Sequence, residues 1–208
     1  MLHYKRSFTN VKAMPRPRVT SDQQILEAAY RVMSRGGPAD FTLSVVGREA
    51  GVSPATLIQR FGSKRGLLLA LARGSAESID DCFAMVRAAH ASPLDALLAA
   101  ATMMARGTKS PDEMANSLAF LQIDLSDPDF HRLILESSRR SLDGYRALLD
   151  EAVAAGELEP CDTPRLARAV ASLSGGSMIS WAILREGTAE AWARTDLETL
   201  LAPYRTRA

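Results

Sequence analysis

Residues Phe41 to Leu71, FTLSVVGREAGVSPATLIQRFGSKRGLLLAL, set the tightest limits on what this chain can fold into. Thr42 is a good N-cap, and Leu43 and Val46 follow it three apart on one helical face. Gly51 stands where that helix must stop, in a turn whose positive φ costs glycine least. Ser53-Pro54 restarts the chain as a helix: a hydroxyl caps it and proline suits its first position. Leu57 and Phe61, four apart, share the inward face and leave Thr56, Gln59 and Arg60 outward. Gly62 ends this helix, and Ser63 caps a third ahead of Leu67, Leu68 and Leu71. The pattern predicts a helix-turn-helix, whose second helix fits the major groove of DNA. A helical hairpin inside a bundle uses the same glycines and caps. The distinguishing features are a second helix of about two turns and its polar, basic outward residues.

The net charge of +1 hides an asymmetry that coincides with this segment. Residues 1–66 hold eleven Lys or Arg and four acids, a balance of +7, which leaves −6 for the remainder. A basic front joined to an acidic body suits a DNA-binding unit fused to a different module. Five of the cations, Lys5, Arg6, Lys12, Arg16 and Arg18, fall within the first twenty residues with no acid among them. Pro15 and Pro17 oppose a helix there. Residues 1–19 thus read either as a flexible arm for phosphates or the minor groove, or as a soluble leader.

Other features narrow the function by exclusion. A chain of 208 residues, 47% hydrophobic and 24% charged, has the size and balance of a soluble globular protein with a real core. No apolar run approaches the roughly 20 residues of a membrane helix, and the N-terminus lacks the apolar stretch of a secretory signal. Cys82 and Cys161, far apart in sequence, read as reduced thiols of a cytoplasmic protein. His3, His90 and His131 lack a nucleophile and orienting acid at recognisable spacing, and there is no glycine-rich phosphate loop. No catalytic residue, cofactor or metal is therefore expected. Asp124, Asp127 and Asp129 beside His131 read better as a helix start at Asp127-Pro128 than as a metal site.

The rest of the chain reads as helix. The first helix begins near Thr20-Ser21, buries Ile25, Ala28, Ala29, Val32 and Met33, and ends at Gly36-Gly37-Pro38. The helix from Ser63 runs toward His90 with an interruption near Gly74. Breaks follow at Ser92-Pro93, between Gly107 and Pro111, and at Asp127-Pro128. A long amphipathic helix then covers Asp129 to Ala155, another runs from about Pro164 to Arg185 and stops at Gly187, and a last spans Ala189 to Ala202.

This order of elements resembles the TetR family of ligand-responsive transcriptional regulators. The resemblance is strongest from Thr20 to Leu71: a helix ending in Gly-Gly, Phe41-Thr42, Ala50-Gly51-Val52-Ser53, Thr56-Leu57, Phe61, Ser63-Lys64 and Leu67-Leu68. Beyond Leu71 only size and helical layout match. It implies an all-α fold without catalytic activity: a three-helix helix-turn-helix DNA-binding domain at 20–66, then a helical effector-binding and dimerisation domain at 67–208. Ile58 replaces the family's usual aromatic, Arg60 a common His, and Arg65 a common acid. Arg60 could supply a phosphate contact or reach guanine, and Arg65 beside a helix N-terminus makes most sense with a phosphate nearby.

The resemblance places Thr42, Ser53 and Lys64 against the DNA backbone, where hydroxyls, helix N-termini and lysine grip phosphates. Ala55, Thr56, Gln59 and Arg60 are candidates for the groove, since Gln pairs with adenine and the Ala and Thr methyls suit thymine. A homodimer on a palindromic operator follows from the family. Its interface candidates are Leu166, Val170, Leu173, Gly176, Ser177 and Ser180, with Leu197 from the last helix. Two glycines inside a helix, Gly175 and Gly176, invite close approach by a neighbour or kink the helix. Met85, Met103, Phe120, Phe130 and Trp181 are candidates for a largely apolar effector pocket, each also a plausible core residue.

The leading expectation is a repressor released from its operator by a small molecule. A DNA-binding regulator without such an effector, as an activator or gated by a protein, stands second. A helical enzyme or carrier stands third. Salt-dependent binding to promoter DNA separates the third from the others, and release by a small molecule separates the first two.

Overall fold

Ser21 starts the first helix through a reciprocal capping box. Its hydroxyl accepts from the Gln24 amide at 3.2 Å, and the Gln24 side chain accepts from the Ser21 amide at 2.9 Å. The computed structural model describes residues 20–206, so the basic arm expected at 1–19 lies outside the described residues. Helix α1 spans Asp22–Asp40, with a non-helical step at Gly37 (φ 63°, ψ −170°) that lets Pro38 open a last turn. Then come α2 (Leu43–Ala50), α3 (Pro54–Phe61) and α4 (Lys64–Glu77). Ile25, Phe41, Val46, Leu57 and Leu67 have no exposed surface and form the core of this head. Each such side chain contributes about 1.5–3 kcal/mol by leaving water.

The body continues with α5 (Ile79–Ala89), α6 (Pro93–Ala101), α7 (Met103–Gly107), α8 (Pro111–Ser126) and α9 (Pro128–Ala154). It closes with α10 (Thr163–Leu184), α11 (Ala189–Leu201) and a 3₁₀ turn at Ala202–Tyr204. Leu97, Leu148, Leu149, Val170, Leu197 and Leu201 fill its main core. Among the described residues there is no strand, only an isolated bridge between Leu158 and Arg205. The all-α expectation holds.

Three boundaries differ from the sequence reading for local reasons. Gly74 stays inside α4, and the break falls at Ser78, whose hydroxyl turns back to the Ser75 carbonyl at 3.0 Å. α6 and α7 part at Thr102, a buried residue whose hydroxyl bonds the Leu98 carbonyl at 2.7 Å. α10 ends at Leu184, because its C-cap Arg185 already takes the left-handed φ of 57° that the sequence pattern assigns to the stop at Gly187.

Head and body meet along two seams. Phe120 of α8 enters the core of the head, edge-on to Phe41 at 6.0 Å between ring centroids. Helix α4 itself carries the second, running through the expected 66/67 boundary to pack along α9.

Candidate DNA-reading head and effector cavity

The helix-turn-helix is built by hydroxyl caps. Thr42 accepts from the Val45 amide at 3.2 Å, Ser53 from Thr56 at 3.1 Å and Ser63 from Gly66 at 3.0 Å. Each cap contributes about 1 kcal/mol. Between α2 and α3, Gly51 takes φ 70°, and the Val52 amide reaches back to the Gly47 carbonyl at 2.9 Å. Gly66 serves close approach: a Cβ there would overlap the Phe61 carbonyl oxygen. The turn from α3 into α4 therefore has one compact form.

Leu57 is fully buried and fixes the inner face of α3, while Ala55 and Gln59 are exposed and Thr56 is half-buried. Thr42, Ser53 and Lys64 are exposed, each at the start of one of the three helices. Lys64 lies over the Phe41 ring at 5.8 Å and donates to the Pro38 carbonyl at 3.2 Å.

Two arginines depart from the roles read for them. Arg60 turns away from the outward side chains of α3 and donates to the Thr20 carbonyl at 2.5 Å and to Asp22 at 3.1 Å. It ties the end of α3 to the start of α1, and a single-residue reading could not foresee a partner forty positions away. Arg65 reaches the body: one Nη donates to both Asp127 oxygens at 2.9 and 3.0 Å and to Asp129 at 2.8 Å. Carboxylates thus answer the charge for which a phosphate was expected. Arg31 and Arg35 both hold Glu49, at 2.9 and 2.6 Å, and keep its carboxyl below the usual range. Four of the six cations between residues 20 and 66 are therefore paired with acids.

A cavity of about 280 Å³ opens between head and body. Tyr30 and Met33 of α1 and Leu68, Leu71 and Ala72 of α4 form one side; Phe120, Ile123 and Asp124 of α8 and Phe130 and Leu133 of α9 form the other. Phe120 and Phe130 were expected here. Met85 was not brought to it: its side chain is exposed on α5. Met103 packs against the core of the body. Trp181 is buried in a separate cluster and donates its indole N–H to the Gly187 carbonyl at 3.3 Å. Sequence reading missed Tyr30, Met33 and Asp124, although Ser117, Phe120 and Asp124 follow one another on one helical face. Burial alone pushes the Asp124 carboxyl up, with no cation answering it among the described residues.

The expected interface residues divide. Leu166, Val170 and Leu197 are buried in the chain's own core, and buried Ser177 donates to Asp196 at 2.6 Å, so none of these four faces outward. Leu173 packs partly on that core. Gly176 and Ser180 are exposed and continue into Ile179, 40% exposed, and Ile183, 72% exposed. The sequence stripe was displaced around the helix because apolar residues occur on both faces of α10.

Comparison with known proteins agrees with this geometry. Residues 25–71 match the profile of bacterial regulatory proteins of the tetR family, and residues 93–202 match the C-terminal domain of BetI-type transcriptional repressors. The chain belongs to the tetR family. The family's members are DNA-binding transcriptional regulators, and the body of this one is of BetI type. The chain is 30% identical over 158 residues to the HTH-type regulator BetI of Agrobacterium fabrum, covering 74% of this chain and 73% of that one. It is 35% identical over 130 residues to BetI of Rhizobium meliloti, covering 60% of this chain and 64% of that relative. A regulator from Saccharomonospora viridis, solved in complex with choline, shares the fold at TM-score 0.73 and 20% identity, over 89% of this chain and 98% of that one.

Proposed function

We propose that this tetR-family chain represses transcription by binding a palindromic operator as a cytoplasmic homodimer, and that a small quaternary ammonium compound of the choline type releases it. The observation that carries the effector class is Asp124, an acid with no cationic partner among the described residues, in a cavity walled by Phe120, Phe130 and Tyr30. A carboxylate beside aromatic faces suits a cation too bulky and too weakly hydrated to need further hydrogen bonds. The cavity volume admits a small molecule, and choline in the Saccharomonospora viridis neighbour supports the same class.

On DNA, Thr42, Ser53 and Lys64 hold phosphates, and Ala55, Thr56 and Gln59 meet base edges. Arg60 orients the reading helix instead of reading a base. Residues 20–66 carry six cations and four acids, whereas residues 1–19 carry five cations and no acid and so supply most of the head's excess positive charge. The arm accordingly contributes much of the salt-dependent affinity. Dimerisation uses the outer face of α10, where Gly176, Ile179, Ser180 and Ile183 follow one another at helical spacing and are all exposed.

Selection of genomic fragments by the purified protein tests the DNA half of this reading. A palindrome bound with steep salt dependence is expected, and Gln59→Ala should relax preference at one position by about 1–3 kcal/mol. Absence of any enriched sequence refutes it. Choline at saturation should then weaken binding to the selected fragment. A wild-type complex indifferent to choline refutes the effector class.

A further inference from the structure

The two seams that flank the cavity differ in kind. On the α1–α8 side, contact is packed: Phe120 is buried against Phe41, and the Asn116 amide donates to the Ser34 and Arg35 carbonyls at 2.9 and 3.0 Å. Asn116 also fills the space beside Gly37, where an added Cβ would stand 2.6 Å from its side-chain oxygen. Nothing can slide there without opening the core of the head.

On the α4–α9 side, the first turns of both helices are joined by exposed charges. The Arg65 guanidinium lies 5.6 Å from the Phe130 ring centroid while donating to Asp127 and Asp129. Asp127 is also the N-cap of α9, accepting from the Asp129 amide at 2.9 Å. Phe130 in turn lines the cavity, so one ring separates the effector space from the ion pair. Arg65 stands four residues beyond the last residue of the reading helix, Phe61, across the compact turn that Gly66 permits.

We infer that Arg65, Asp127, Asp129 and Phe130 form a latch through which a molecule in the cavity controls the reading helix. The inference rests on the ligand-gated reading above and names its route. The α1–α8 seam is the hinge; the α4–α9 seam is the part that gives way. A ligand seated against Phe130 displaces that ring from beneath the guanidinium, and the turn leading from α3 into α4 moves with Arg65. A ligand can shift the head only by preferring one latch state, so removing the latch removes the response without removing binding. Arg65 and the two aspartates act here as positioning residues and touch neither DNA bases nor effector.

The test is the double variant Asp127→Asn, Asp129→Asn, in which asparagine keeps the N-cap of α9 while the charges go. Without ligand or DNA, amide hydrogen exchange in the first turn of α4 should rise several-fold, while exchange in α1 and α8 stays at the wild-type rate. Choline should bind the variant as it binds wild type. The choline-induced fall in affinity for the selected fragment, about tenfold or more in wild type, should shrink to less than about twofold. The charge exchange Arg65→Glu with Asp129→Arg should restore part of that fall, which a merely structural role would not allow. Unchanged exchange in α4 overturns the latch whatever the effector proves to be. Raised exchange with choline coupling left at the wild-type ratio overturns its regulatory role. Wild-type protein that ignores choline counts against the effector class, and the exchange measurement then decides the latch alone.

Discussion

The seam between α1 and α8 and the seam between the starts of α4 and α9 join the same two parts of the molecule by opposite means. The first buries an aromatic pair and satisfies two backbone carbonyls with one amide; the second gathers one guanidinium and two carboxylates at the surface. Packing is short-ranged and changes abruptly when disturbed, whereas exposed ion pairs are weak and screened by salt. A cavity between such seams has a fixed wall and a yielding one. That difference gives the bound molecule a direction in which to act.

The largest effect should come from breaking the packed side. Phe120→Ala leaves a void beneath Phe41 and should lower stability by about 3–5 kcal/mol in thermal or urea unfolding. If it costs less than 1 kcal/mol, the hinge is not built as described. Asn116→Ala should cost less, about 1–3 kcal/mol by the same measurement, because it leaves the Ser34 and Arg35 carbonyls without their shared donor.

Acid sharpens the contrast between two aspartates of the body. The Arg65 guanidinium, chiefly through its hydrogen bonds, holds the Asp127 carboxyl below the ordinary range. The stabilisation from that pair is therefore complete above the unfolded aspartate value, near 4, and is lost only as pH falls through the lower folded value. Protection from exchange in the first turn of α4, taken relative to the intrinsic amide rate at each pH, should hold down to about pH 4 and fall below it. Asp124 runs the other way: burial raises its carboxyl, so it takes up a proton at a pH where an exposed aspartate remains ionised. Choline affinity should accordingly fall on acidification before the latch loosens, as calorimetric titration across that range would reveal. The smallest effect is that of salt on the resting protein. Raising ionic strength should quicken exchange in α4 while leaving α1 and α8 unchanged.

Legibility in the sequence followed how locally each feature is determined. The head could be read because Thr42, Gly51, Ser53, Pro54, Gly62 and Ser63 act on their own neighbours, and caps need no tertiary partner. The breaks at Ser92-Pro93, between Gly107 and Pro111, and at Asp127-Pro128 are legible for the same reason, each ending in a proline at the first position of a helix. The cavity was not, since Tyr30, Leu68, Asp124 and Phe130 come from four helices, and no spacing links them. Met85 and Trp181 are as apolar as the residues that do line it; only packing separates them. Arg60 and Arg65 were read as DNA contacts because a basic residue beside a reading helix invites that role. In the structure they pair with Asp22 and with Asp127 and Asp129, which lie 38 and more than 60 positions away.

The most direct test of a head gated from this cavity is the anisotropy of the selected DNA fragment, titrated with choline for wild type and Asp124→Asn. Wild-type protein should release the fragment, with affinity weakened about tenfold or more at saturation, and the variant should hold it at choline concentrations that empty the wild type. Release of both proteins at the same choline concentration would contradict the account, because the Asp124 carboxyl of the cavity would then have no part in sensing.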